Sequence, residues 1–272
     1  MSFRAPKARA SFVAILGLAL AACGSGTDEL VSVAGGQLDL WCDGGEGPTV
    51  MFIAALGGDH SLVPIAERIG EEANACFYDR PGDGETDAPE VTRTAVSDAA
   101  DLHELLSVAD IPTPVVLVAH SYGGLISIIA AAEHPDEIAG LVLVDASHPE
   151  QEERTNAILT DAQVEILTAE FARFPYVDFL ASLDEAADAY GAFPDIPLTV
   201  ITATRGMTDP CMEGMPCEAM QTVWLEVQDE YAALTPGARH VLADTGHYVH
   251  DDDPELVVAE IKAMLRRVSP SR

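Results

Sequence analysis

The stretch from residue 115 to residue 130 reads Val115-Val-Leu-Val-Ala-His-Ser-Tyr-Gly-Gly-Leu-Ile-Ser-Ile-Ile-Ala130. It begins with a short apolar run rich in β-branched residues and ends with an apolar run typical of a helix. A strand followed at once by a helix leaves Ser121 on a sharp turn, and the small residues Ala119 and Gly123 suit such a turn. The stretch therefore predicts an exposed, nucleophilic serine at the carboxyl end of a buried strand.

Short apolar runs alternate with longer helical patterns along the rest of the chain. Several runs are apolar at consecutive positions, which indicates strands buried on both faces. The sequence therefore predicts an α/β fold, a mostly parallel sheet sandwiched by helices. The predicted strands are 38–42, 49–54, 73–78, 115–119, 141–144, 198–202 and 240–243. The predicted helices between them are 62–73, 92–109, 122–133, 219–233 and 254–267.

One segment interrupts this alternation. Residues 147–196 contain no strand pattern and are rich in Ala, Glu, Asp, Leu and aromatic residues. We expect a helical cap inserted between the two core segments, 38–146 and 197–272. Its aromatic residues could pack its helices together, line a pocket, or do both.

A serine needs a base before it can act as a nucleophile, and histidine is suited because its pKa lies near neutral pH. The chain has 8 histidines. His247 follows the last predicted strand, at the sheet edge where parallel α/β proteins place their sites, so we predict that it is the base. His120, beside the serine, is expected to point elsewhere, and His250 to be a solvated loop residue. The others are expected at the surface or at a strand start: His60, His103, His134, His148 and His240.

The acid that would orient this histidine has two candidates. Asp145 ends the strand at 141–144, and Asp209 lies in the loop after the strand at 198–202. Either one preserves the chain order of serine, acid and histidine. We prefer Asp145 because Asp209 is far along the chain from the end of its strand.

The oxyanion of an acyl-transfer reaction needs two hydrogen-bond donors. One is predicted to be the backbone N–H of Tyr122, at the start of the helix after the serine. The other is predicted in the loop Ala54-Ala-Leu-Gly-Gly58, at Leu56, with Gly57 as the alternative.

Taken together, these motifs make the chain resemble an α/β-hydrolase fold protein over residues 38–268. The resemblance rests on Ala119-His-Ser-Tyr-Gly-Gly124, Tyr78-Asp-Arg-Pro-Gly-Asp-Gly84, Leu141-Val-Leu-Val-Asp145 and Thr245-Gly-His247 with Asp253-Pro-Glu255. It implies a mostly parallel sheet, a helical cap and hydrolysis of esters or related bonds, and a structural role for Arg80. The chain departs from the family pattern at Ala119, where glycine is usual, at Ala54-Ala55, where many members have His-Gly, and in the loop that would hold the acid.

The predicted activity is that of a serine hydrolase. Ser121 would form an acyl-enzyme with a small-molecule carboxylic ester, and thioesters, lactones and amides would use the same groups. No metal-ligand cluster or dinucleotide-binding glycine motif is found in the sequence, so no cofactor is predicted. The alternative is a non-catalytic ligand-binding protein that retains the fold.

The charge balance restricts the partners. The chain has 272 residues, with 45 Asp and Glu against 14 Lys and Arg, and a net charge of −31. Such a surface repels the phosphates of nucleic acids and disfavours electrostatic docking on anionic lipid. A small acyl substrate is therefore the expected partner.

The first residues predict export. Three basic residues precede an apolar run and small residues that end at Cys23, so residues 1–22 are typical of a signal peptide. They resemble a bacterial lipoprotein signal, in which Cys23 carries the lipid, and an ordinary signal peptide is the alternative. Residues 23–37 would then form a lipid-anchored tether, and the membrane would be contacted through this anchor.

The cysteines agree with export. The chain has 5. Without Cys23 an even set remains, which in an exported protein predicts disulfides, pairing Cys211 with Cys217 and Cys42 with Cys76. Zinc is the competing interpretation, but these cysteines lack the spacing of a zinc site.

Overall fold

The structure, a computed structural model, describes residues 27–45, 47–58 and 60–269. The predicted signal peptide and Cys23 lie outside these residues. Among the described helices, none combines the length and the apolar composition needed to cross a bilayer.

The described residues form one eight-stranded sheet in the order β1-β2-β4-β3-β5-β6-β7-β8. The strands are β1 (Thr27–Val33), β2 (Gly36–Gly44), β3 (Thr49–Ile53), β4 (Asn74–Asp79), β5 (Val115–His120), β6 (Ile138–Val144), β7 (Leu198–Ala203) and β8 (Arg239–Ala243). The pairs β1–β2 and β2–β4 are antiparallel, and all other neighbours are parallel.

Helices cover both faces of this sheet. They are α1 (Val63–Gly70), α2 (Ala95–Val108), α3 (Gly123–Glu133), α4 (Gln151–Asn156), α5 (Asp161–Phe171), α6 (Phe179–Tyr190), α7 (Cys217–Ala232), α8 (Val249–Asp252) and α9 (Pro254–Val268). Helices α1 and α9 bury their apolar residues in one core, and α2, α3 and α6 bury theirs in the other. Since β3 and β5 are buried at every position, the predicted α/β sandwich with a mostly parallel sheet is confirmed.

The predicted tether at 23–37 is wrong from residue 27 onward. Residues 27–33 form β1, which pairs with β2 at the edge of the sheet. Burial alternates along this strand: Val31 is buried, whereas its neighbours Leu30 and Ser32 are exposed, and the apolar Leu30 on the outer face obscures the pattern in the sequence. This period of two is typical of a strand with one face on the core.

Both predicted disulfides are present in the structure. Cys42 and Cys76 face each other on the paired strands β2 and β4. The bond between Cys211 and Cys217 closes the loop just before α7. The first fastens the antiparallel edge to the parallel core, and the second holds a loop beside the site described below.

The inserted segment 147–196 divides between two roles. Helix α6 packs against α2 and α3, and Phe179, Leu183 and Ala186 are part of the main core. Helices α4 and α5, in contrast, have no buried residues. The layer that covers the site is therefore narrower than the predicted cap and consists of α4, α5 and their loops.

Candidate active site

Ser121 lies on a strained turn between β5 and α3. Its φ of +51° is in the left-handed region, which is costly for a residue with a side chain. The turn is held by its carbonyl oxygen, which accepts hydrogen bonds from Gly124 N and Ser147 N, both at 2.9 Å. It also needs glycine at 123, because a Cβ there would lie 2.5 Å from Ile53 O. The close approach of α3 to β3 thus places the serine at the carboxyl edge of the sheet.

Asp145 and His247 meet at the same edge. His247 Nδ1 lies 2.6 Å from Asp145 Oδ2, and Asp145 is fully buried. The second oxygen, Asp145 Oδ1, accepts hydrogen bonds from Trp224 Nε1 at 2.7 Å and from Ala203 N at 2.9 Å. These contacts fix the carboxylate, so the imidazole is held by Nδ1 and its Nε2 is left for proton transfer.

The other candidate acid is engaged elsewhere. Asp209 is exposed and forms an ion pair with Arg205, whose Nε also donates to Asp244 Oδ1 at 2.9 Å. The structure therefore brings Asp145 to the imidazole of His247 and leaves the Asp209 carboxylate with an arginine at the surface.

The two predicted oxyanion donors belong to different loops. Leu56 shares a cavity with Ser121, and Tyr122 caps the first turn of α3, where backbone N–H groups favour negative charge. The buried Arg80 connects the two: its Nη1 donates to Ala54 O at 2.8 Å, and its guanidinium lies 5.3 Å from the centre of the Tyr122 ring. Gly57, the alternative donor, adopts a φ of +79° in the same loop.

Behind His247 lie two further histidines: the ring of His120 packs against that of His247, and the ring of His250 packs against that of His120. His120 is fully buried and its Nε2 donates to the carbonyl oxygen of His247 at 3.1 Å. Burial, aided by His247 and His250, lowers the pKa of His120 well below its usual value, so it stays neutral. The prediction that His250 is solvated is wrong. It is 2% exposed and its Nε2 lies 2.6 Å from Ser61 Oγ, because the turn of α8 places it against His120.

His148 was also predicted at the surface, and this is wrong as well. It is fully buried, its ring packs edge-on against Tyr190 and Tyr231, and its Nδ1 accepts a hydrogen bond from Glu150 N at 3.2 Å. Burial lowers the pKa of His148 to about 4, against a smaller opposing effect of the Glu150 carboxylate. His148 is therefore neutral at neutral pH.

Because His148 is buried in its neutral form, we expect the protein to lose stability in mild acid. In the unfolded chain its pKa is about 6.5, so it takes up a proton between pH 7 and pH 5 that the folded protein excludes. The stabilisation is complete above pH 6.5 and is lost as the pH falls. We expect the free energy of unfolding to drop over this interval by about 2 kcal/mol more in the native protein than in His148→Asn. Urea titrations at both pH values measure the difference.

The variant keeps an acceptor for the Glu150 N–H, and groups with opposite pH dependence, such as the largely buried Asp83, are common to both proteins. Parallel pH profiles of the two proteins would contradict the prediction.

The serine, the histidine and Leu56 line one cavity of about 160 Å³. Most of its remaining wall is apolar, and these residues are Leu167, Phe171, Phe179, Met207, Met220 and Trp224. Its polar wall consists of Ser147, Gln151, Glu152 and Thr155. Sequence reasoning expected aromatic residues here but did not identify this set, because the helical segment shows too little periodicity to indicate which side faces the sheet.

A cluster of possible metal ligands lies outside this cavity. The nitrogens of His103 and His134 and a carboxylate oxygen of Glu137 lie within 4.8 Å of one another. Such ligands suit a divalent transition metal. The two rings, however, stack face to face at 3.7 Å with an angle of 1° between their planes. Since a metal–nitrogen bond lies in the ring plane, the rings would have to rotate before they could share an ion.

The comparisons with known proteins agree with this fold. A family model described as "Alpha/beta hydrolase family" matches residues 40–260. The uncharacterized protein YqjL of Bacillus subtilis is 26% identical over 79% of this chain and 82% of its own length. The 2-(acetamidomethylene)succinate hydrolase of Mesorhizobium japonicum is 29% identical over 58% of this chain and 53% of its own. The solved enol-lactonase of Burkholderia xenovorans LB400 superposes with a TM-score of 0.61 at 19% identity, over 88% of this chain and 100% of that one, which shows a common fold.

Proposed function

This chain belongs to the alpha/beta hydrolase family, and on that premise we propose that it is a serine hydrolase that cleaves a carboxylic ester or a related acyl bond of a small molecule. The observation that supports this most is the hydrogen bond of 2.6 Å between His247 Nδ1 and the buried Asp145, at the cavity that Ser121 also lines. A nucleophile, a base and an orienting acid at one sheet edge are the parts that acyl transfer requires.

In the proposed reaction, Ser121 Oγ attacks the substrate carbonyl while His247 Nε2 takes its proton. The Asp145 carboxylate stabilises the imidazolium, and the backbone N–H groups of Leu56 and Tyr122 donate to the oxyanion. The tetrahedral intermediate collapses, and His247 returns the proton to the departing alcohol. Water then attacks the acyl-enzyme and loses a proton to His247, and as the second tetrahedral intermediate collapses His247 returns this proton to Ser121 Oγ and the carboxylic acid leaves.

The size of the cavity restricts the acyl group. A cavity of this volume, about 160 Å³, holds roughly one benzene ring. Its apolar wall favours an acyl part of comparable size with hydrocarbon character. We therefore propose short acyl chains, or a small lactone, as substrates.

A fluorophosphonate probe tests the proposal, because it reacts with a serine only when an adjacent base has activated it. We expect one equivalent of label on the native protein and none on Ser121→Ala, together with hydrolysis of a chromogenic butanoate ester by the native protein. A folded native protein that neither takes the label nor hydrolyses the ester would be a ligand-binding protein with the same fold.

We also propose that the mature protein is exported and anchored by a lipid on Cys23. The sequence around this cysteine supports the proposal, and so do the two disulfides, which persist in oxidising compartments. Metabolic labelling with a fatty-acid analogue is expected to mark the native chain and not Cys23→Ser. Labelling of both would reject this anchor.

A further inference from the structure

Among the described residues of the cavity wall, one carries a carboxylate, beside apolar and neutral polar groups. Glu152, on α4, lines the cavity together with Ser121 and His247. Among the described residues that line it, there is no lysine or arginine. The charge within the cavity wall is therefore negative, as is that of the whole chain at −31.

The arginine closest to Glu152 along the chain is engaged elsewhere. Arg154, two residues away on α4, forms ion pairs with Glu150 and with Glu230, the latter at 2.7 Å. The Glu152 carboxylate accepts a hydrogen bond from Asn156 Nδ2 at 2.9 Å, which fixes its position without neutralising it. No ion pair with Glu152 is found among the described residues, so a substrate in the cavity meets a negative charge that they leave uncompensated.

An anionic substrate would be disfavoured here for two reasons. Its charge would leave water for a mostly apolar cavity, and no cationic side chain of the described wall would compensate for the lost hydration. It would also be repelled by Glu152. Two like charges about 6 Å apart, at an effective dielectric of about 40, lower the affinity for the anionic substrate by roughly tenfold. An uncharged acyl group incurs neither cost.

We infer that this site takes substrates whose acyl part is uncharged and discriminates against acyl groups that carry a carboxylate, with Glu152 as the residue that determines this specificity. The inference rests on the proposed function, since it concerns the acyl pocket of the same reaction. The inference also distinguishes this chain from relatives that act on dicarboxylic acids. A pocket for a second carboxylate needs a cationic side chain, and none of the described residues of this cavity wall provides one.

Two esters of matched size test the inference. In 4-nitrophenyl pentanoate and the 4-nitrophenyl monoester of glutaric acid, a terminal methyl group is exchanged for a carboxylate. We expect the native protein to have a kcat/KM at least about tenfold higher for the pentanoate. In Glu152→Gln, which retains an oxygen acceptor for Asn156, this ratio is expected to fall by about tenfold through faster hydrolysis of the glutarate ester.

Glu153→Gln is the matched control. It removes the same charge from the neighbouring position of α4, but Glu153 is exposed and lies outside the cavity wall. Its ratio is expected to equal that of the native protein. An unchanged ratio in Glu152→Gln would overturn the inference, and so would an equal change in both variants, because that would assign the effect to net charge.

A binding experiment distinguishes failure of this inference from failure of the proposed function. Pentanamide and glutaramate are titrated calorimetrically into Ser121→Ala and into Ser121→Ala/Glu152→Gln. We expect the first protein to bind pentanamide at least about tenfold more tightly than glutaramate, and in the second protein this preference is expected to be smaller by about tenfold, because the repulsion by Glu152 is gone. The same preference without any ester hydrolysis would uphold the specificity and reject the hydrolase, whereas equal binding of the two amides to the first protein would reject the specificity.

Discussion

Asp145→Asn is expected to lower kcat/KM for a chromogenic ester by about four orders of magnitude while the protein stays folded. The reason lies in how the two carboxylate oxygens are used. Oδ1 accepts from Trp224 and Ala203, and an asparagine oxygen can take the same two hydrogen bonds. The amide nitrogen then occupies the position of Oδ2 and donates to His247 Nδ1. That ring nitrogen becomes an acceptor, so the proton moves to Nε2, which can no longer remove one from the serine.

Asp209→Asn is the matched comparison, since both substitutions remove one charge from a strand-end loop. The Asp209 carboxylate is exposed and pairs with Arg205, so its loss is expected to change kcat/KM by less than about twofold. Steady-state kinetics with thermal melts of both variants measure activity at comparable stability. A large loss in Asp209→Asn with little loss in Asp145→Asn would reverse the assignment.

The contrast between these two aspartates shows where sequence reasoning reaches its limit. The serine turn at 121 is predictable because its signals are local: a buried strand, small neighbours and a helix in immediate succession. The choice of acid is not local, because both aspartates follow strands and keep the same chain order. In the structure Asp145 is the one that contacts His247, and its other oxygen is held by the indole of Trp224, which lies 79 residues further on.

The burial of individual side chains was also not predictable from the sequence. His148 and His250 have acidic residues close by in the chain, Glu150 and Asp251, yet both are buried: His148 packs against Tyr190 and Tyr231, and His250 lies in the short helix α8. The strand at 27–33 was missed for a different reason. Its alternation is only a few residues long and lies beside an apparent signal sequence. The composition of the cavity wall, finally, depends on how α4 and α5 rest on the sheet.

The packing of Arg80 explains how the loop beside the serine is held. This residue is 4% exposed and forms an ion pair at 2.8 Å with Asp83, which is also largely buried. Its guanidinium donates to the carbonyl oxygens of Ala54 and Ala55, just before Leu56 in the chain. Burial raises the pKa of Asp83, and Arg80 opposes that rise. The arginine therefore stabilises a buried carboxylate and the backbone of the proposed oxyanion loop together.

Arg80→Met is accordingly expected to lower the free energy of unfolding by about 3–5 kcal/mol, because it leaves a buried carboxylate and two carbonyl oxygens without their donor. It is also expected to lower kcat more than KM rises, because the loop that carries the Leu56 N–H loses its anchor. Urea unfolding and steady-state kinetics on a chromogenic ester measure the two effects.

The control for charge is Arg68→Met, which breaks the exposed pair of Arg68 with Glu255 and is expected to cost less than about 1 kcal/mol. A double variant tests the cause. If the cost of Arg80→Met comes from the Asp83 carboxylate that it leaves without a partner, then adding Asp83→Asn will restore part of the stability. The two substitutions then act on one interaction, so their effects on the free energy of unfolding are not additive. Additive losses would locate the cost in the two carbonyl oxygens instead. A loss no greater than that of Arg68→Met would show that neither contact stabilises the fold.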